Sequence, residues 1–314
     1  TLLHVRNLNV GFPTPDGVVH AVNDISFSIN AGETLAIVGE SGSGKTVTNL
    51  ALMGLLNNNT AQISGTATFQ SHDGEIDLLG IESSKLQKYR GRDISMIFQD
   101  PGSSLNPVMR VGDQVSEIFQ IHLNISKQEG RKKALEMLKQ VEIPDPESRM
   151  LAFPHELSGG MKQRIMIAMA IANEPELLIA DEPTTALDVT IQAQILEVLR
   201  GLRETRQLSI VIITHDLGVV AGLADNVNVM YAGEIVESGN VEGLFYQSSH
   251  PYSRGLLSCV PRLDIRESAL HPIGGDPPKL SERSPGCSFQ PRCKSSTSLC
   301  ESTKPKLERS LLSG

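Results

Sequence analysis

Apolar and polar residues alternate through the first 30 positions of the chain, which is the period of half-buried β-strands. The turn-forming residues Pro13-Thr14-Pro15-Asp16-Gly17 interrupt the alternation, so we predict two antiparallel strands that are joined there. A short apolar segment at residues 34–38 predicts a buried strand. The glycine-rich segment after it leads into a predicted helix over residues 45–56, and together they form a strand-loop-helix unit.

Helical periodicity dominates the middle of the chain, from about residue 100 to residue 173. Apolar residues recur there at three- and four-residue intervals, as at Ala134 and Leu138, so we predict a mainly helical insertion. Two short apolar strands follow at residues 177–180 and 209–214, with an amphipathic helix between them. The order strand, helix, strand predicts a parallel α/β core.

The last third of the chain changes in composition. A predicted hairpin turns at Ala232-Gly233, and beyond about residue 240 the chain becomes rich in Pro, Ser and Arg. We therefore predict one domain at residues 1–240, which includes the helical insertion, and a small C-terminal extension at residues 241–314.

Composition excludes several classes of protein. With 314 residues and 39% hydrophobic content, the chain can bury a large core, but its longest apolar runs fall far short of a membrane helix of about 20 residues. No basic segment followed by an apolar segment opens the chain, so we expect a cytoplasmic protein. A net charge of -8 without a basic stripe argues against a nucleic-acid partner.

A phosphate-binding loop is the strongest chemical signal. The segment Gly39-Glu40-Ser41-Gly42-Ser43-Gly44-Lys45-Thr46 fits the pattern G-x-x-x-x-G-K-[ST] between a predicted strand and a predicted helix. Its glycines let backbone N–H groups face the phosphates of ATP, Lys45 reaches the β- and γ-phosphates, and the Thr46 hydroxyl can bind Mg²⁺. The alternative, a flexible Gly-Ser linker, does not account for this context.

Two adjacent carboxylates end the apolar strand at residues 177–180. Asp181 and Glu182 would lie at the carboxyl edge of a parallel sheet, where ligands bind in α/β proteins. Asp181 suits the Mg²⁺ shell. Glu182 would point the other way on an extended strand and could polarise the attacking water.

The segment Leu157-Ser158-Gly159-Gly160-Met161-Lys162-Gln163-Arg164 resembles the signature sequence of ABC (ATP-binding cassette) proteins. This resemblance implies a P-loop NTPase fold of the ABC nucleotide-binding type, with a parallel core sheet, an antiparallel β subdomain and a helical subdomain. It also implies that Ser158, Gly159, Gly160 and Gln163 close over ATP that is bound to a partner cassette. Without that context, Ser-Gly-Gly would be a plain helix cap.

The same resemblance assigns four further residues. Gln99 is identified with the Q-loop glutamine, which binds Mg²⁺ together with Thr46 and Asp181. Residues 186–188, ending in Asp188, resemble the D-loop, and His215 resembles the histidine that contacts the γ-phosphate. Phe12 occupies the place of an aromatic residue that stacks on adenine. From the residues alone, His215 could be a structural histidine and Phe12 a core residue.

Further segments are similar to the ATPases of dipeptide and oligopeptide importers. They are Phe98-Gln99-Asp100-Pro101, Ser104-Leu105-Asn106-Pro107, residues 180–189 and His250-Pro251-Tyr252. Membership would imply a paralogous ATPase subunit that completes a heterodimer, two transmembrane permease subunits and an extracytoplasmic peptide-binding protein. It would place the chain at the cytoplasmic face of the inner membrane. A soluble ABC ATPase, a regulatory subunit with weak hydrolysis, or an importer of nickel or another small solute remain alternatives.

Three of the four cysteines lie in the last 30 residues. Cys287, Cys293 and Cys300 resemble the cysteines that hold a [4Fe–4S] cluster in some importer ATPases, although that pattern has a fourth cysteine further downstream. No fourth cysteine follows Cys300, so we expect either a truncated chain or a degenerate site. Free thiols and a zinc site are the other two interpretations.

Overall fold

The computed structural model describes residues 1–57, 59–185, 187–259, 273–281 and 284–308. The chain divides into two compact units. The first contains Thr1–Leu3, Ile29–Thr34 and Thr68–Ile213, and the second contains the described residues of His4–Ser28, Leu35–Ala67 and Thr214–Gly314.

The described residues contain both strands and helices. The strands are β1 (Leu3–Thr14), β2 (Gly17–Ile29), β3 (Thr34–Val38), β4 (Gln62–Ser71), β5 (Gly74–Asp77), β6 (Ile94–Ile97), β7 (Leu177–Asp181), β8 (Ser209–Thr214), β9 (Asn226–Tyr231) and β10 (Glu234–Asn240). The helices are α1 (Lys45–Leu52), α2 (Ser83–Leu86), α3 (Pro101–Ser104), α4 (Val111–Leu123), α5 (Lys127–Gln140), α6 (Pro146–Arg149), α7 (Gly159–Ile171), α8 (Val189–Arg206), α9 (Leu217–Leu223), α10 (Val241–Gln247), α11 (Pro251–Ser258) and α12 (Ser298–Ser302). Single 3₁₀ turns lie at Pro154–Glu156 and Gln290–Arg292.

The first unit contains the parallel strands β6, β7 and β8, with β7 in the middle. Leu177 of β7 pairs with Ile94 on one side and with Ser209 on the other. All five residues of β7 are buried, and the first four carry apolar side chains on both faces of the strand. Parallel strands end at a common edge, so the residues that follow β6 and β7 lie on the same side of the sheet.

Helices α4, α5 and α7 pack together in the first unit, and α7 also packs on β6. The N-terminus of α5 is capped by side chains: Ser126 and Glu129 form a capping box, and Ser126 Oγ accepts from the Glu129 N–H at 3.3 Å. Helices α3 to α7 all lie between residues 101 and 171, within the segment of helical periodicity. The burial of Ala134 and Leu138 confirms the predicted apolar face of α5.

The second unit contains two groups of strands. Strands β1 and β2 are neighbours that a turn at residues 15–16 connects, which confirms the predicted break. Strand β3 runs parallel to β9, and β9 runs antiparallel to β10. The hairpin between β9 and β10 turns at Ala232 and Gly233, both with positive φ (50° and 81°), as the sequence predicts.

Helix α1 is shorter than predicted. It ends at Leu52 rather than at residue 56, because Gly54 adopts a left-handed conformation with φ of 58° and stops the helical hydrogen bonding. Among the residues that the structure describes, no helix has the length and apolar character needed to cross a membrane.

Candidate nucleotide-binding and hydrolysis residues

The loop between β3 and α1 folds so tightly that it requires glycine. A Cβ atom on Gly39 would lie 2.2 Å from the Met230 carbonyl oxygen, and one on Gly44 would lie 2.4 Å from the Ala21 carbonyl oxygen. Gly44 also has φ of 102° and is the residue from which α1 starts. The loop therefore places its backbone directly before the positive end of a helix, which suits an anion.

The Lys45 side chain forms hydrogen bonds with the backbone at the start of this loop. Its side chain is buried, and its Nζ donates to the carbonyl oxygens of Gly39 at 2.8 Å and Glu40 at 2.9 Å. Thr46, the next residue, lies exposed in the first turn of α1. Ser41 and Gly42 are exposed and Ser43 is buried. The structure thus brings the predicted loop residues of the second unit into one compact turn.

The acidic residues lie in the first unit. Asp181 is the last residue of β7 and is buried, opposite Ile213 of β8. The prediction that Glu182 continues an extended strand after Asp181 is wrong. The φ of Glu182 is 47°, in the left-handed region that residues other than glycine seldom adopt. The alternation of side chains along a strand therefore does not set its direction.

The carboxylate of Glu182 is held by two donors. Gln99 Nε2 donates to it at 3.0 Å, and Thr185 Oγ1 donates to the same oxygen at 2.8 Å. The Glu182 N–H donates to the Ile213 carbonyl oxygen at 2.9 Å, which fixes the backbone. The sequence predictions for Gln99 and Glu182 thus fall on a contacting pair. Thr185 was missed, although a hydroxyl three residues after Glu182 is the spacing of a local turn.

The signature segment starts α7. Ser158 is its N-cap, and Ser158 Oγ accepts from the Met161 N–H at 3.3 Å. A Cβ atom on Gly160 would lie 2.7 Å from Ile191 in the first turn of α8, so only glycine allows these helices to approach so closely. Gln163 is buried in α7.

The other predicted site residues are Asp188, His215 and Phe12. Asp188 caps α8, where its Oδ1 accepts from the Ile191 N–H at 2.9 Å, and Ala186 lies outside the described residues. His215 follows β8 and is exposed. Phe12 is half-buried in β1. Their functional roles stay predictions.

The three tail cysteines lie in one small folded segment. The Cys287 N–H donates to the Cys300 carbonyl oxygen at 2.8 Å. Burial raises the pKa of the Cys287 thiol, whereas a hydrogen bond with the Thr297 hydroxyl lowers the pKa of Cys300. Within the described ranges, no three His, Cys, Asp or Glu side chains are arranged to hold a metal ion. Cys287, Cys293 and Cys300 alone therefore do not complete a metal site.

The chain matches two known protein families. The family described as ABC transporter matches residues 22–185, and the family described as oligopeptide/dipeptide transporter, C-terminal region, matches residues 236–300. The chain is 53% identical to the oligopeptide transport ATP-binding protein OppD of Escherichia coli (strain K12), over 97% of this chain and 89% of that protein. It is 50% identical to the dipeptide transport ATP-binding protein DppD of Bacillus subtilis (strain 168), over 97% of this chain and 90% of that protein.

A solved structure of an ATP-binding cassette has the same fold as this chain. The dimeric structure of an ATP-binding cassette in a post-hydrolysis state, bound to ADP and Pi, superposes with a TM-score of 0.68 and 27% identity. The match covers 76% of this chain and 99% of that chain. The predicted α/β fold of the ABC nucleotide-binding domain is confirmed. The chain therefore belongs to the ABC transporter family, as a transport ATPase of the group that carries the oligopeptide/dipeptide transporter C-terminal region.

Proposed function

We propose that this chain binds and hydrolyses ATP to power the import of dipeptides or oligopeptides through a membrane permease. The observation that carries the proposal is the similarity to peptide-importer ATPases over 97% of the chain, which includes the C-terminal region. Cassette motifs alone would also fit a soluble ABC ATPase that acts on nucleic acid or ribosomes. The C-terminal match at residues 236–300 favours the importer.

The phosphate loop supplies the nucleotide contacts. Backbone N–H groups of the segment from Gly39 to Thr46, with the Lys45 ammonium, would bind the β- and γ-phosphates, and Phe12 would stack on adenine. The tight turn and the two Lys45 hydrogen bonds support this role, because a loop that is already ordered loses little entropy when ATP binds.

Hydrolysis would depend on the residues around Glu182. Its carboxylate would polarise the attacking water, and the two donors from Gln99 and Thr185 hold it in place. His215 would contact the γ-phosphate, and Asp188 would link this cassette to its partner. Asp181 is buried at the end of β7, and its carboxylate is the group that we propose for Mg²⁺ binding.

Magnesium fits the donor atoms that these residues offer. Thr46, Gln99 and Asp181 provide a hydroxyl, an amide oxygen and a carboxylate, which are the hard oxygen ligands that Mg²⁺ prefers. Since the Gln99 amide nitrogen donates to Glu182, its amide oxygen is the atom that would face the cation. When bound, Mg²⁺ would neutralise charge on the phosphates.

The signature segment implies a second cassette. Ser158, Gly159, Gly160 and Gln163 would close on ATP held by a paralogous subunit, and the paralogue would do the same for this chain. A peptide importer also contains permease and substrate-binding proteins, which we propose to be two transmembrane subunits and one extracytoplasmic protein. The chain would then lie peripherally at the cytoplasmic face of the inner membrane.

An iron–sulfur cluster is a separate proposal for the tail. The thiols of Cys287, Cys293 and Cys300 have the right chemistry, but the described residues do not supply a fourth ligand. Anaerobic purification followed by iron and sulfide analysis tests it. Four irons per chain, lost in a Cys293→Ser variant, would support the cluster. Iron-free protein with reactive thiols, or bound zinc, would contradict it.

Co-purification tests the importer directly. The chain would be isolated from native membranes in mild detergent, and the attached proteins identified by mass spectrometry. We expect two permeases and a second cassette subunit, and peptide should stimulate ATP hydrolysis when the complex and its binding protein are reconstituted in vesicles. Recovery of ribosomes or nucleic acid would contradict the importer, and stimulation by nickel alone would change its substrate.

A further inference from the structure

Arg292 of the C-terminal extension forms an ion pair with Glu40, the second residue of the phosphate loop. Arg292 Nη1 donates to Glu40 Oε2 at 2.7 Å, and Nη2 donates to Glu40 Oε1 at 3.0 Å, across 252 positions of the chain. The Arg292 side chain is only 5% exposed. The Glu40 side chain is 26% exposed, so the pair lies at the edge of the solvent, but its bidentate, charge-assisted geometry is specific in direction.

Arg292 is itself fixed on every side. Besides Glu40, its N–H groups donate to the Gly274 carbonyl oxygen at 3.0 Å, the Ile273 carbonyl oxygen at 3.3 Å and the Tyr231 hydroxyl at 3.3 Å. All five N–H donors of the guanidinium are therefore used. The rings of Tyr231 and Phe289 lie 5.7 and 6.0 Å from its central carbon. A lysine could not reproduce this arrangement.

Tyr252 holds the backbone of the same loop residue. Its hydroxyl accepts a hydrogen bond of 2.8 Å from the Glu40 N–H, and its side chain is fully buried. The ring packs against Tyr231 and Phe289 with centroid distances of 4.5 and 5.4 Å. The His250-Pro251-Tyr252 segment thus has a structural meaning. His250 Nδ1 accepts from the Tyr252 N–H at 3.1 Å and caps α11, which presents the Tyr252 hydroxyl to the loop.

The third group of Glu40, its carbonyl oxygen, accepts from Lys45 Nζ at 2.9 Å. One residue therefore joins the extension on one side to the phosphate-binding lysine on the other. The extension also follows the loop further along: Pro277, Pro278 and Leu280 line a cavity with residues 40–43. The Leu280 carbonyl oxygen accepts from the His20 N–H of β2 at 3.2 Å.

We propose that Arg292 and Tyr252 are positioning residues for ATP binding, through which the C-terminal extension sets the affinity of the phosphate loop. The inference rests on the proposed binding of ATP at residues 39–46. The extension fixes the carboxylate and the N–H of Glu40, while the Glu40 carbonyl oxygen accepts from Lys45. It thereby keeps the loop N–H groups and the Lys45 ammonium in the geometry that a phosphate needs. Neither residue reaches the reacting atoms, so both should act on nucleotide binding and leave the chemical step unchanged.

The test measures the Kd for MgATP by titration of the full chain with a fluorescent ATP analogue, and KM and kcat for ATP hydrolysis. Arg292→Gln should raise Kd and KM at least tenfold, with kcat within about twofold of wild type. Arg292→Lys should recover only part of the affinity. Arg254→Gln is the matched control, since exposed Arg254 of α11 donates to the Ser248 carbonyl oxygen and makes no contact with Glu40.

Two further variants keep the test decisive. Tyr252→Phe retains the packed ring and removes only the acceptor, so it should raise Kd about fivefold even if Arg292→Gln folds poorly. In Glu40→Gln combined with Arg292→Gln, the two effects should not add, because they break the same pair. An unchanged Kd in both Arg292→Gln and Tyr252→Phe would overturn the inference. A loss of kcat at constant KM in these variants would also overturn it. Failure of the wild type to bind MgATP would instead contradict the proposed function.

Discussion

The side-chain amide of Gln99 donates a 3.0 Å hydrogen bond to the carboxylate of Glu182, 83 positions further along the chain. Gln99 follows β6 and Glu182 follows β7, and these two strands are parallel neighbours. The sheet therefore brings both side chains to the same edge. The proposed cation ligand and the proposed base are thus coupled, because any movement of Gln99 also moves a donor to Glu182.

Replacement of Glu182 by glutamine should separate ATP binding from hydrolysis. The amide is similar in shape but cannot polarise water as a carboxylate does, so we expect kcat to fall by about 10²–10⁴-fold. The Kd for MgATP should stay within about threefold of wild type, because the phosphate loop is untouched. Steady-state ATPase assays and equilibrium titration of the same preparation measure both quantities.

The matched control is Glu197→Gln in α8, whose carboxylate is 71% exposed and pairs with Arg200. It should hydrolyse ATP at the wild-type rate. Hydrolysis by Glu182→Gln within about tenfold of wild type would remove Glu182 from the role of base.

Gln99→Ala should change the response to Mg²⁺. The variant loses the amide oxygen that we propose as a ligand, and it also loses the hydrogen bond from Gln99 to Glu182. We expect the Mg²⁺ concentration at half-maximal activity to rise about tenfold and kcat to fall by about 10-fold or more. Titration of ATPase activity with Mg²⁺ at saturating ATP measures both effects.

Thr185→Ala provides the comparison for Gln99→Ala, because it removes the hydrogen bond from Thr185 to Glu182 and leaves the proposed ligands in place. Its kcat should fall while its Mg²⁺ requirement stays at the wild-type value. If wild type, Gln99→Ala and Thr185→Ala all reach half-maximal activity at the same Mg²⁺ concentration, Gln99 only positions Glu182.

Short-range patterns predicted the elements that carry the site. Strands β3 and β8 have the predicted bounds, since continuous apolar runs were flanked by turn-forming or charged residues. The loop of residues 39–46 was predictable for a similar reason: its glycines and Lys45 are needed at fixed spacing, whatever the rest of the chain does.

Contacts between distant residues could not be predicted in the same way. Nothing in the spacing of Glu40 and Arg292, 252 positions apart, indicates that they form an ion pair. The direction of the Glu182 side chain also escaped prediction, because it depends on a left-handed backbone that the strand pattern does not encode. Both features arise from packing, which a pattern along one chain does not contain.

Two glycines of the phosphate loop should differ in their tolerance of alanine. At Gly44, a Cβ atom would lie 2.4 Å from the Ala21 carbonyl oxygen, and φ is 102°, so Gly44→Ala must displace the loop. At Gly42, φ is 79°, but apart from Gly42 itself and its two chain neighbours, no described residue has an atom within 4 Å of the Cβ position. We expect Gly44→Ala to abolish MgATP binding and Gly42→Ala to lose only about 1 kcal/mol of stability from backbone strain.

Urea unfolding and MgATP titration of the two glycine variants provide the comparison. Gly42→Ala should also weaken MgATP binding less than Gly44→Ala does. Equal losses of affinity in both variants would mean that the phosphate loop repacks freely around a new side chain, against the close contacts at Gly44.

His250 should make the stability of the second unit depend on pH. Burial lowers the pKa of this half-buried imidazole below its ordinary value of 6.5, although the carboxylate of Glu237 opposes the shift. The neutral ring is also the form that can accept from the Tyr252 N–H. Because the unfolded chain binds the proton more readily, the free energy of unfolding should be highest above pH 6.5 and decrease as the pH falls below it.

His250→Asn supplies the control for this pH dependence, since asparagine is a good N-cap that does not titrate. The pH dependence due to His250 is the difference between the two proteins in urea unfolding from pH 8 to pH 5. Wild type should lose more stability over this range than His250→Asn, and its Kd for MgATP should rise in parallel if α11 positions the loop through Tyr252. If the free energy of unfolding falls equally with pH in the two proteins, protonation of His250 does not disturb α11. The His250 cap would then contribute little to stability.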